Sequence, residues 1–227
     1  MRRLPFLLFL VGCGVTPQLP GHNFLGAPYI NSPLGEGIAP DSDPLIRFDA
    51  FDCTTFVETV LANGDIETLN QIRYKDGKIG FLNRNHFIES DWLINNSDRV
   101  QNISADYGKT KIRHVVIDKK SWFKKAHNID TDFKPVAVDL EYIPYEFTKD
   151  IIIENPVIVL FITDNADFRD KIGTDLAVVH MGILMPNGVL RHASSEHGAV
   201  VDVSFDKYMN TRKKNKNNLG IALVKIK

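Results

Sequence analysis

The chain has 227 residues, 44% of them hydrophobic and 24% charged, with a formal net charge of -1. That length suits one large domain or two small ones, and the near-neutral balance argues against a general nucleic-acid binder. Two cysteines, Cys13 and Cys53, exclude a disulfide scaffold, and no internal stretch approaches the roughly 18–20 apolar residues of a membrane span.

Met1-Arg2-Arg3 followed by the apolar run Leu4 to Val11 has the layout of an export signal. The run closes on Leu10-Val11-Gly12-Cys13, which resembles the lipobox of bacterial lipoproteins. That resemblance implies a signal over residues 1–13, lipid on Cys13, and a periplasmic protein anchored to the membrane through that lipid. A lipidated Cys13 has no thiol left to pair with Cys53. Residues 14–44 carry Pro17, Pro20, Pro28, Pro33, Pro40 and Pro44 and read as an extended arm. Phe24, Leu25, Tyr29, Ile30 and Leu34 are too many apolar residues for a free linker, so some of them pack on the core or line a site. Residues 45–227 read as a single domain.

Phe56, Val57, Val60 and Leu61 recur at helical spacing, with Asp52 as N-cap and Cys53 in the first turn. Ile66, Leu69 and Ile72 continue the period past Gly64. Tyr74 to Lys78 reads as a turn, and Phe81 to Trp92 as a loop or short helix. Ile112 to Ile117 is a strand, and Ser121 to Lys125 starts a helix with Trp122 and Phe123 buried. Val136 to Ile143 is a strand, Tyr145 to Ile152 a short helix, and the apolar run Val157 to Thr163 a fully buried strand. Asp164 to Asp175 reads as a solvated acidic loop. Leu176–Met185, Val189–Ala193, Ala199–Val203 and Ile221–Ile226 are strands, and Arg212 to Asn218 is a polar tract between the last two.

At a helix start, free backbone N–H groups and the dipole lower a thiol's pKa and receive an oxyanion as it forms. Cys53 is therefore either a nucleophile or a small apolar residue at a buried helix start. His180 and His192 favour the first. They lie on a hairpin turning at Pro186-Asn187-Gly188. A three-residue loop closing Met185 onto Val189 sets His192 opposite Gly182, on the same face as His180. A two-residue turn sends His192 to the other face. With an odd loop, His180 serves as general base and His192 orients it. A metal site would recruit His180, His192 and His197, perhaps with Cys53, but the close ligand spacing of zinc sites is missing, so neither metal nor cofactor is expected.

Asp52-Cys53-Thr54-Thr55-Phe56, with His180-Met-Gly-Ile, Asn187-Gly188 and His192-Ala-Ser-Ser, resembles the NlpC-type cell-wall cysteine peptidases. Leu34-Gly-Glu-Gly37, Arg47 to Thr59, Ile72 to Gly77 and Phe81 to Ile88 resemble, more narrowly, the N-acetylmuramoyl-L-alanine amidase-like branch. The resemblance implies an α+β, papain-like NlpC-type core: a helix bearing Cys packed on an antiparallel sheet bearing His, with an N-terminal arm and a long insertion. It implies a single catalytic domain that hydrolyses the amide between N-acetylmuramic acid and L-alanine in peptidoglycan fragments. A monomer acting on muropeptides, with no nucleic-acid partner, is the expected state. Arg84, Asn85 and His86 are candidate substrate contacts, with loop-stabilising hydrogen bonds as their alternative. Two other readings stay open: an endopeptidase for the D-glutamyl–diaminopimelate bond, and a lipoprotein that binds muropeptides without cleaving them.

Overall fold

The structure, a computed structural model, describes residues 20–149 and 151–227. The signal read over residues 1–13, with Cys13, lies outside them. The arm leads into α1 (Cys53–Ala62) and α2 (Ile66–Arg73). Asp52 and Thr55 cap α1 reciprocally: Asp52 Oδ1 accepts from Thr55 N at 2.8 Å and Thr55 Oγ1 from Asp52 N at 3.0 Å. The apolar period runs on into α2, but the chain breaks at Asn63 and Gly64, both left-handed, and Asp65 caps the second helix afresh.

A π-helical turn at Ile88–Trp92 and the single turn α3 (Leu93–Asn95) precede the sheet. The strands are β1 (Val100–Asn102), β2 (Lys111–Ile117), β3 (Val136–Pro144), β4 (Val157–Thr163), β5 (Val178–Leu184), β6 (Val189–Ser194), β7 (Ala199–Ser204) and β8 (Asn218–Ile226). Between them lie α4 (Lys119–His127), α5 (Asp167–Ile172) and α6 (Phe205–Arg212). The sheet order is β2-β3-β8-β4-β5-β6-β7, antiparallel throughout, with β1 also paired to β8. The architecture is α+β, a helix-covered antiparallel sheet.

Both faces are buried. Ile158, Leu160, Ile162, Met181, Ile183 and Ala193 face one core with Phe56, Val57 and Trp92. Val157, Val159, Phe161, Leu184 and Leu190 face the other, under Phe205 and Met209 of α6. β4 is buried along its whole length, as its unbroken apolar run requires. Along the arm, Gly26 and Ala27 bond Val200 of β7, while Tyr29 bridges Phe51. Leu34 is buried, but Ile30 is exposed. Farther on, Glu36 and Asp41 clasp Arg84. The arm thus ties the residues before Cys53 to the sheet edge.

Three readings are corrected. Among the described residues of 145–152 the helical turn is a 3-10 one at Tyr145–Phe147, and no apolar stripe continues it: Ile152 is 79% exposed. The acidic segment Asp164 to Asp175 contains α5, and its end carboxylates pair with Arg113 and Arg169. Trp122 is half-buried, while Phe123 is buried as expected.

Candidate active site

Cys53 occupies the first position of α1, which packs on β5 and β6. Its side chain keeps some exposure, and its sulfur faces the Met181 backbone N–H, which favours the thiolate. Thr54 Oγ1 lies 3.9 Å from the sulfur. The Met181 N–H belongs to the peptide group that follows His180, so thiol and imidazole flank one peptide unit.

The hairpin has the odd loop. Met185 N bonds Val189 O at 2.8 Å, Gly188 N bonds Met185 O at 3.0 Å, and Gly188 takes φ +75. The ladder then runs Leu184↔Leu190 and Ile183↔Arg191. His192 falls opposite Gly182, on the face that carries His180, and His180 Nε2 lies 2.7 Å from His192 Nδ1. That face is the one covered by α6: His180 pairs with Phe161, and Tyr208 of α6 stacks edge-on against His192 at 5.0 Å. The space beside Gly182 is filled by His192, whose Cβ would sit 2.9 Å from a Cβ built there.

One of the two contacting nitrogens carries the proton. If His180 donates, its Nδ1 is left as an acceptor and His192 holds its own proton on Nε2, which is buried with no partner. The reverse tautomer blocks Nδ1 as a base.

Burial dominates the electrostatics. The Cys53 thiol is pushed up to about 11 by burial and then by Asp52, against the lowering that its position at a helix start leads one to expect. His180 is pushed down to about 3 by burial, then by His192 and Arg212. His192 is held down to about 4 by burial and then by His197. A proton passing from sulfur to imidazole charges both at once, and their attraction offsets part of the burial cost.

Arg84, Asn85 and His86 come together beside Asp52 and Thr54, lining a cavity of about 150 Å³. Their hydrogen bonds are largely committed. Arg84 forks onto Glu36 at 2.9 and 2.6 Å and onto Asp41 at 2.8 Å. Asn85 donates to Ile72 O and accepts from Asn95. His86 Nε2 donates to Phe81 O at 2.7 Å, which leaves Nδ1 as a lone acceptor. His197, exposed on the β6–β7 turn, meets Ser194 Oγ through Nδ1 at 3.0 Å and acts on His192 only through its charge.

Three further residues neighbour the site: Tyr29, one of the arm residues expected to pack on the core or line a site, and Tyr208 and Arg212, which the sequence did not single out. The Tyr29 hydroxyl is held above its ordinary range by burial and then by the negative charge of Cys53 and Asp52, and its backbone bridges Phe51, two residues before the thiol. Tyr208 and Arg212 come from α6, whose signal was Ser204 followed by Phe205, Tyr208, Met209 and Arg212 at helical spacing. A search of curated proteins finds no match. The model of the N-acetylmuramoyl-L-alanine amidase-like (AmiA-like) family matches residues 20–220.

The chain belongs to this family. Among solved structures, this amidase-like chain is similar to a Legionella pneumophila protein of the DUF1460 family: 27% identity, a TM-score of 0.82, and 91% of this chain against 86% of that one. It is also similar to an N-acetylmuramoyl-L-alanine amidase from Bacteroides uniformis, with 25% identity, a TM-score of 0.68 and coverage of 92% and 97%.

Proposed function

We propose that the chain is a cysteine amidase that hydrolyses the amide between N-acetylmuramic acid and L-alanine in peptidoglycan fragments. One observation carries this reading: the Cys53 sulfur sits on the Met181 N–H, one peptide group from a His180 whose Nε2 is already occupied by His192. A cysteine on a helix, a histidine on a sheet and a polar group behind it are the parts of a papain-like, NlpC-type site. Family membership and the likeness to the Bacteroides uniformis amidase support the choice of bond.

In this mechanism His180 Nδ1 takes the thiol proton as sulfur attacks the lactyl carbonyl carbon. The oxyanion forms toward the Cys53 N–H, with the Tyr29 hydroxyl as second donor; one such donor is worth about 3–4 kcal/mol. The C–N bond breaks as His180 returns the proton to the alanine nitrogen. Water then gives a proton to His180 and attacks the thioester carbonyl. N-acetylmuramate leaves, and the thiol is restored. The cavity beside Arg84, Asn85 and His86 takes the sugar half, with His86 Nδ1 as its acceptor. The enzyme works as a monomer on muropeptides, tethered in the periplasm through lipid on Cys13; metabolic labelling with a radiolabelled fatty acid, compared between wild type and Cys13→Ala, tests the tether.

The test is mass spectrometry of products from purified muropeptides. Release of unsubstituted N-acetylmuramate from muramoyl-L-alanine is the expected result. Cleavage of a free L-Ala–D-Glu–diaminopimelate peptide instead assigns the endopeptidase reading, and binding with no product assigns the non-catalytic one. Slow thiol labelling in the free protein is expected of a buried thiol on either reading, so the products decide.

A further inference from the structure

We propose that Arg212 forms a subsite for a carboxylate carried by the amine half of the substrate, on the first or second residue after the scissile bond. The proposal rests on the amidase reading above and names what the departing half must carry.

A polar cavity of about 170 Å³ adjoins the histidine pair, lined by His180, His192, Ser194, Tyr208, Arg212 and the exposed Glu196 among others. Arg212 is the half-buried cation of that cavity. Its guanidinium lies over Phe161 at 5.6 Å, and Phe161 in turn packs on His180 at 5.5 Å. Its guanidinium hydrogen bond is to a neutral group, Nη2 reaching Asn218 Oδ1 at 3.4 Å, and the neutral Tyr145 hydroxyl lies near enough to feel its charge. Arg212 Nε is buried with no partner, and Arg212 forms none of the carboxylate pairs found among the described residues. His192, only 1% exposed, lines the same cavity and also has an unpartnered buried nitrogen, Nε2. A half-buried arginine beside a base, with no carboxylate paired to it even though Glu196 lines the same cavity, is an incomplete arrangement.

Chemistry decides which half of the substrate reaches it. The nitrogen that leaves must come within hydrogen-bond reach, about 3 Å, of the imidazole that protonates it. Because His192 holds Nε2, that proton comes from Nδ1. In an amino acid the carboxyl carbon is only about 2.5 Å from the nitrogen, and the next residue's carboxylate is a few bonds farther. On the amidase reading the acyl half takes the separate cavity lined by Asp52, Thr54, Arg84, Asn85 and His86. The amine half therefore enters the cavity that His180 and Arg212 share. Its volume suits one or two residues. A carboxylate seated on Arg212 also offsets a positive charge that holds His180 neutral, so binding of the correct leaving group makes the base stronger. The other titratable groups that line this cavity with His180 are His192, Tyr208 and Glu196.

The experiment measures affinity on the Cys53→Ser protein for two ligand pairs: muramoyl-L-alanine against muramoyl-L-alaninamide, and muramoyl-L-alanyl-D-glutamate against its diamide. In at least one pair the acid binds roughly 10–100-fold tighter, the range of a charge-assisted hydrogen bond. The pair that discriminates tells which residue carries the carboxylate. In Cys53→Ser combined with Arg212→Gln the acid binds no better than its amide, and Arg212→Lys restores part of the difference. Equal affinity within both pairs, no binding of any ligand, or discrimination that survives Arg212→Gln overturns the subsite. Wild-type turnover, measured in parallel, separates the two claims. Turnover without acid preference removes the subsite and leaves the amidase reading. Acid preference without turnover does the reverse.

Discussion

Gly182→Ala tests whether hairpin geometry makes the site. The added Cβ would lie 2.9 Å from the Arg191 carbonyl oxygen, 2.9 Å from His192 Cβ and 3.0 Å from Leu190 Cδ1. Carbon contacts settle near about 3.5–4.0 Å, so β6 must retreat by roughly half an ångström or more. Two of the three obstacles are the β6 main chain and the first carbon of His192, which cannot rotate away. Overpacking of this kind costs about 1–3 kcal/mol. It also moves His192 against His180 and stretches a 2.7 Å contact, which places the catalytic loss on the order of 100-fold. Gly188→Ala is the control. That residue has φ +75 and nothing within 4 Å of a Cβ, so it bears only left-handed strain of about 1–2 kcal/mol, at the tip of the same hairpin. Urea unfolding and muramoyl-L-alanine hydrolysis are measured for both. Comparable stability losses with a large fall in kcat for Gly182→Ala alone are expected. If its kcat stays within twofold of Gly188→Ala, the coupling of hairpin register to catalysis is refuted.

Cys53→Ser abolishes hydrolysis while leaving the circular dichroism and melting curve near wild type, and full activity in that variant sinks the mechanism. His180→Ala loses at least 1,000-fold more activity than His197→Ala, because only the first removes the proton carrier; equal losses would reassign the base. Glu89 is buried and pushed up to about 7, burial being the main cause, while Oε1 accepts the Ala177 N–H at 2.6 Å. Its folded pKa lies above the unfolded 4.5, so its ionisation costs stability as pH rises from 4.5 to 7, up to about 3 kcal/mol. Glu89→Gln keeps the acceptor and removes the charge, so its stability relative to wild type increases across that window; a gap that stays constant from pH 5 to 8 contradicts this. His86, His180 and His192 are depressed instead, so their contribution is complete above 6.5 and is lost on acidification. Arg84→Met leaves the Glu36 carboxylate buried without its ion pair, held only by the Tyr74 hydroxyl, and costs about 3 kcal/mol by chemical denaturation, and Glu36→Gln in the same chain recovers part of it.

What could be read from the sequence was whatever is encoded locally. The Asp52 cap, the apolar run of β4 and the Pro186-Asn187-Gly188 loop each specify their geometry within a few residues. The odd loop carried the inference furthest, because side-chain alternation turns a count of residues into a choice of face. The rest depended on distant partners. β1 is three residues long and exists because it pairs Val100 with Ile226. α6 is polar on most of its surface, and the lysine and asparagine tract that follows hides its apolar stripe. Tyr208 and Arg212 were therefore read past, although they sit against the histidines. The thiol ran opposite to expectation for the same reason: a helix start lowers a thiol's pKa, but the density packed around Cys53 depends on β5 and β6, which lie far along the chain.

The arrangement of the two faces explains why the sheet opens where it does. In an antiparallel ladder, alternate N–H groups point to alternate neighbours. Met185 directs its N–H to β6, so Ile183 and Met181 do as well. Pairing between β5 and β6 stops at Ile183↔Arg191, so the Met181 N–H has no ladder partner on β6 and faces the Cys53 sulfur instead. His180, next in sequence, points to the opposite face and lies under α6 with His192. A continuous ladder would satisfy Met181 within the sheet and wall the α1 cysteine off from the α6 histidines. The parted strands connect the two layers, and the thiol faces the N–H that the ladder gives up there. Any change that zips β5 and β6 together beyond Gly182 therefore stabilises the sheet and removes the site.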